Sequence, residues 1–123
     1  MEEITPEKTK PPRHYYEGNR LQQIFHCRLR ANNADLNANL FTRNLAMSPN
    51  CTCGAEETTD HYLLECQNYK DERAAMIIDI SHCNVTAIDI EILLKGCPTL
   101  SDSDNKTLFL AVQEFIGITN RFT

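Results

Sequence analysis

The stretch CTCGAEETTDHYLLEC, residues 51–66, constrains this chain more than any other part of it, because three of its six cysteines and one of its four histidines fall there. Cys51, Cys53, His61 and Cys66 read as C-x-C-x7-H-x4-C. These are four donors of the types zinc prefers, and a structural zinc site is a closed tetrahedron of Cys and His ligands. His61 and Cys66 stand five apart, slightly more than one helical turn, so a short helix with a loosened last turn directs both at one ion. Cys51 and Cys53 are closer together than the usual two-to-four-residue spacer. Gly54 accounts for the departure: without a Cβ, it lets the chain reverse directly after Cys53 and brings both sulfurs to one metal.

Other chemistries use the same residue types. A Cys51–Cys53 disulfide would be strained, and a Cys–His nucleophile pair needs an orienting third group and an oxyanion hole that the sequence does not supply. A C-x-x-C redox pair is absent. Burial of the cysteines as small hydrophobes stays open beside the zinc reading. Cys27, Cys83 and Cys97 have no comparable set around them. A second site at His82 and Cys83 would need two further ligands, drawn only from scattered His14, His26, Cys27 and Cys97. His26 is expected on the polar flank of a helix, at the surface.

At 123 residues, 41% hydrophobic, with 7% aromatics and no Trp, the chain suits one domain with a modest core that a metal staple would reinforce. The opening MEEITPEKTKPPR has two acids after Met1 and no apolar run, so it does not read as a secretion signal, and no apolar stretch is long enough to span a bilayer. An intracellular location is therefore expected, where thiols stay reduced and clustered cysteines bind metals. Residues 1–13, polar and carrying Pro6, Pro11 and Pro12, are expected to form a flexible lead, and residues 14–123 a single zinc-stabilised helical domain.

The periodicity is helical throughout, and the expected class is all-α: an N-terminal helical hairpin, a Cys3His knuckle and C-terminal helices closing the core. NRLQQIFHCRLRAN places Leu21, Ile24, Phe25 and Leu29 on one face. ADLNANLFTRNLAM follows with Leu36, Leu40, Phe41 and Leu45, and Asp35 is positioned to cap it. Thr58, Thr59 and Asp60 offer caps before HYLLEC. DERAAMIIDI then gives an inward stripe of Tyr69, Arg73, Met76, Ile77 and Ile80. Thr86 and Asp89 precede AIDIEILLK as a shortened capping box, with Gly96 and Pro98 as its stop. A last helix from SDSD buries Leu108, Phe109, Val112, Phe115 and Ile116.

Net charge is −5 but unevenly spread: residues 1–53 hold seven Lys/Arg against five Asp/Glu, and residues 54–123 hold five against twelve. Arg20, Arg28, Arg30 and Arg43 make the first half the segment suited to face a polyanion.

From "HYYEGNRLQQIFHCRLRANNADLNANLFTRNL" through "SPNCTCGAEETTDHYLLECQNYKDER", and more loosely into "LFLAVQEFIGITNRF", the chain resembles the zinc-binding C-terminal region of non-LTR (LINE-type) retrotransposon polyproteins. That region follows the reverse transcriptase and ribonuclease H domains. The resemblance implies that Cys51, Cys53, His61 and Cys66 are ligands of one structural zinc ion. It matches Glu57-Thr58 to the E-T step between the ligand pairs. The polymerase palm and the ribonuclease H sheet do not fit in this chain, so the implied role is non-catalytic. It is that of a small module that engages nucleic acid or packs against the polyprotein's catalytic domains. Joined to the charge distribution, the expected function is an accessory module contacting nucleic acid, DNA or RNA, through Arg20, Arg28, Arg30 and Arg43, with no membrane and no small-molecule substrate. The alternative is an interaction or folding module whose apolar helix face docks on neighbouring polyprotein domains or on a second copy, or a domesticated or truncated fragment of such an element.

Overall fold

The computed structural model describes residues 19–85 and 87–122. The expected lead at 1–13, His14 and the capping residue Thr86 lie outside them. Among the described residues the helices are α1 (Arg20–Arg30), α2 (Asn37–Thr42), α3 (Lys70–Ile80), α4 (Ile90–Lys95) and α5 (Asp102–Thr119). A π-helical turn at His61–Glu65 and a 3-10 turn at Gln67–Tyr69 precede α3. No strand forms among them, and an isolated antiparallel bridge joins Asn50 to Glu56. The molecule is thus mostly helical.

Helix α5 is the spine. Ser101 Oγ accepts from Asp104 N at 3.1 Å, and Asp102 and Asp104 sit in the first turn, where the helix dipole favours acids. Its inward side chains are those the periodicity predicts: Leu108, Phe109, Val112, Phe115 and Ile116 are all buried. Helix α3 packs most extensively on it, followed by α1, and α4 touches both α1 and α5. From α3, Arg73, Met76 and Ile80 turn inward as expected. Ile77 does not, and remains 42% exposed.

Two expectations about the N-terminal helices are corrected. The inward face of α1 runs through His26 and Leu29, while Leu21 and Ile24 of the predicted stripe are exposed. The reason lies in α4. Its last carbonyls have no intrahelical partner, and His26 and Arg30, one turn apart on α1, supply the donors. His26 Nε2 donates to Leu93 O and Arg30 Nη1 to Leu94 O, each at 2.8 Å. His26 is therefore a core residue, 1% exposed and packed at 4.4 Å against the Phe109 ring with a 54° tilt, and not a surface histidine.

Helix α2 spans only six residues, and it makes no substantial contact with α1. Leu36 is buried, but Phe41 and Leu45 lie exposed. Asp35 does not cap this helix; it pairs with Arg43 at 3.3 Å. The first amide of α2, Asn37 N, instead donates to Glu57 Oε1 at 2.7 Å, a cap supplied from twenty residues further along the chain.

Candidate metal centre

Residues 49–57 form a tight reversal. Glu57 N donates to Pro49 O at 2.9 Å, Cys51 N to Ala55 O at 2.7 Å and Gly54 N to Cys51 O at 2.9 Å. At the apex Gly54 has φ +103°, a left-handed torsion that disfavours any residue with a Cβ. A Cβ there would meet nothing within 4 Å, so glycine is required for its torsion and not for space. The reversal sets the Cys51 and Cys53 sulfurs on one side.

The second ligand pair arrives on the π-helical turn. Thr58 Oγ1 accepts from His61 N at 3.1 Å, starting the turn, and Cys66 N donates to His61 O at 2.7 Å, closing it across five residues. At about 100° per residue, an α-helix would point positions five apart to different sides. Widening the turn by one residue rotates His61 and Cys66 onto the same side, the loosened last turn that their spacing demands.

The four donors converge. Cys51 Sγ lies 3.5 Å from Cys66 Sγ, Cys66 Sγ 3.9 Å from Cys53 Sγ, and Cys53 Sγ 3.2 Å from His61 Nε2. All four ligand atoms fall within 4.8 Å of one another. Zinc bonds of about 2.3 Å to sulfur and 2.0–2.1 Å to nitrogen, at tetrahedral angles, require donors about 3.5–3.8 Å apart. The donor set therefore fits a single ion of this kind. The Cys53–His61 distance would also suit a thiol–imidazole nucleophile pair, but two further thiols meeting at the same point have no part in that chemistry. None of the cysteines is in a disulfide. Cys27, Cys83 and Cys97 stand outside the cluster, with Cys83 buried and donating to Asp104 O at 3.4 Å.

Cys51, His61 and Cys66 are buried, whereas Cys53 is exposed. The Ala55 backbone amide, followed by the neighbouring cysteines, holds the Cys53 thiol below its ordinary value against desolvation. Burial pushes the Cys66 thiol up to about 11. A bound dication would override both shifts, since a coordinating thiol is deprotonated outright.

Around the ligands lies a set of polar contacts. Asn68 Nδ2 donates to Thr52 Oγ1 at 2.8 Å and to Cys51 Sγ at 3.6 Å, steadying the knuckle. The Glu57 carboxylate is gripped on both oxygens by Arg121, Nη2 to Oε1 at 2.6 Å and Nε to Oε2 at 2.8 Å, tying the end of the chain to the metal loop. Burial raises the Glu57 pKa, but Arg121 and the Asn37 amide outweigh it and hold the group below its ordinary value. Arg73 donates to the carbonyls of Leu63, Cys66 and Tyr62 at 2.9, 2.8 and 3.2 Å, bracing the π-helical turn from behind. Of these residues, Arg73 carried a local signal, as a cation at an inward helical position, and Glu57 was marked only by the resemblance, as part of the E-T step. The roles of Glu57 and Arg121 depend on a contact across 64 residues, which no local pattern encodes.

The four arginines of the first half are not gathered into one site. Arg30 is committed to Leu94 O and lies 5.7 Å from the centre of the Phe109 ring, and Arg43 pairs with Asp35. Arg20 and Arg28 are exposed, Arg28 lying over the Phe25 ring at 6.0 Å. No helix of the described residues is long and apolar enough to cross a membrane. Comparison with protein families, with curated proteins and with solved structures finds no match.

Proposed function

We propose that this chain is a non-catalytic accessory module, stapled by one structural zinc ion on Cys51, Cys53, His61 and Cys66, which contacts nucleic acid through α1. The convergence of four Cys/His donors within 4.8 Å carries the reading. With four protein ligands zinc has no open position for a water or substrate, so its work is to hold the fold rather than to hydrolyse. The resemblance to the tail of LINE-type polyproteins suits such a module inside a cell. The nucleic-acid role falls to Arg20 and Arg28, whose guanidinium groups are exposed and in no ion pair among the described residues.

A second reading, docking on another protein domain, is favoured by the end of α2 and the segment between it and the knuckle. Phe41, Leu45 and Met47 are 44, 66 and 99% exposed there. Salt separates the two readings. Metal analysis of protein purified without added zinc should give one zinc per chain. Anisotropy titration with a generic oligonucleotide should then show affinity that falls steeply with salt, and Arg20→Ala with Arg28→Ala should lower the slope of log affinity against log salt by about 0.9 per lost duplex phosphate contact. Absence of binding at low salt would transfer the assignment to protein docking.

A further inference from the structure

We propose that Arg73 is the counter-cation and positioning residue of the metal centre: its guanidinium holds the turn that carries His61 and Cys66 and offsets the negative charge of the loaded site. The inference rests on the structural-zinc reading. Arg73 is 9% exposed, and among the described residues no carboxylate lies within ion-pair distance of it. Its partners are three backbone carbonyls of the π-helical turn and the face of Phe115, 5.9 Å away. Glu65 and Glu72 act on it only from beyond ion-pair distance, and desolvation outweighs them; a buried charge without a direct counter-ion is costly.

Metal loading supplies what Arg73 lacks. Three thiolates, a neutral imidazole and a divalent ion leave one net negative charge on the centre. Arg73 reaches that charge through Cys66, whose carbonyl it holds at 2.8 Å. The neighbouring Arg121 is not available for this purpose, because Glu57 already neutralises it at 2.6 Å. Phe115 and the turn keep water from Arg73, so attraction between the guanidinium and the thiolates is weakly screened. The same contacts also fix the carbonyls of Tyr62 and Leu63, and hence the widened turn on which the His61–Cys66 spacing depends.

The test is zinc affinity of the full chain, measured by competition with a chromophoric chelator, for wild type, Arg73→Met and Arg73→Lys, with the cobalt(II) absorption spectrum recorded for each. Arg73→Met should bind zinc 10–100-fold more weakly, the usual effect of losing an outer partner of a ligand. It should still take one ion per chain and keep the tetrahedral cobalt spectrum. Arg73→Lys keeps the charge without the fork and should recover most of the lost affinity, a rescue that a purely structural role would not produce. Wild-type affinity in Arg73→Met, or Arg73→Lys as weak as Arg73→Met, overturns the proposal. Should Arg73→Met lose its helical circular dichroism, Arg73→Lys decides alone: affinity within a few-fold of wild type supports the charge role, and a loss of about tenfold or more overturns it. A wild type that binds no zinc ends the zinc reading itself, whereas tight wild-type binding matched by Arg73→Met removes only the role of Arg73.

Discussion

Helix α5 and the segment from α2 to the knuckle are built on opposite principles. Between Asp102 and Thr119 eight side chains are buried, six of them apolar. Between Asn37 and Asp60 the buried residues are Cys51, Glu57 and Thr59. The helix is held by apolar area removed from water, a force that needs no particular partner. The segment from α2 to Asp60 has almost no apolar interior; it is held by the Glu57 cap on α2, by the Glu57–Arg121 pair and, on the proposed zinc reading, by coordination, each of which fails if one atom is missing. Fixing some two dozen residues costs about 1–2 kcal/mol each in backbone entropy, which three buried side chains do not offset. A structural zinc ion, whose binding energy is also folding energy, would be the largest single favourable contribution to this segment.

The largest expected effect therefore follows chelation or Cys66→Ser. Either should remove amide hydrogen-exchange protection from residues 49–66 and lower helicity and melting temperature together, Cys66→Ser doing so even in excess zinc. Unchanged protection in the knuckle would erase the contrast, showing that the four donors are packed thiols and a packed imidazole with no metal role.

Phe109→Ala should cost about 3–5 kcal/mol by leaving a cavity in the α5 core. Below its lowered melting temperature the variant should still bind one zinc ion, read by metal analysis after gel filtration. Loss of zinc in step with the core would show that the two regions form one cooperative unit.

Glu57→Gln should cost about 3 kcal/mol, the lower end for breaking a buried pair, because Arg121 remains 23% exposed. Its pH dependence follows from the lowered Glu57 pKa. The stability Glu57 adds is full above the ordinary carboxylate value of 4.5 and is lost as pH falls through the lower folded value. The gap in denaturation midpoint between wild type and Glu57→Gln should thus be constant near neutrality and close in acid. Zinc leaves both proteins in acid, so the difference isolates the carboxylate. A gap that persists below the folded value would assign the loss to packing.

Contacts within a few residues were legible from the chain: the Cys3His donor set, the Gly54 reversal, the Thr58 cap and the α5 stripe all depend on spacing and local torsion. Asp89, expected as the far half of a capping box with Thr86, instead caps α4 itself by accepting from Ile92 N. The α1 stripe was misread because apolar periodicity reports a preference for burial and cannot see the open carbonyls of α4 that draw His26 and Arg30 inward. For the same reason Asp35, a good cap by type, lost Asn37 to a carboxylate twenty residues away.

The sequence by itself determined the Cys3His donor set, since donor type and spacing within sixteen residues are local properties of the chain. Only the tertiary structure decided which charges are free and which are spent. Arg30 and Arg43 were indistinguishable from Arg20 and Arg28 until folding brought Leu94 O and Asp35 to them, and Arg73 and Arg121 took up their posts beside the metal centre only when α3 and the end of α5 had docked. A charge is an attribute of a residue, but its partner is a property of the packing, which joins groups as far apart as Glu57 and Arg121.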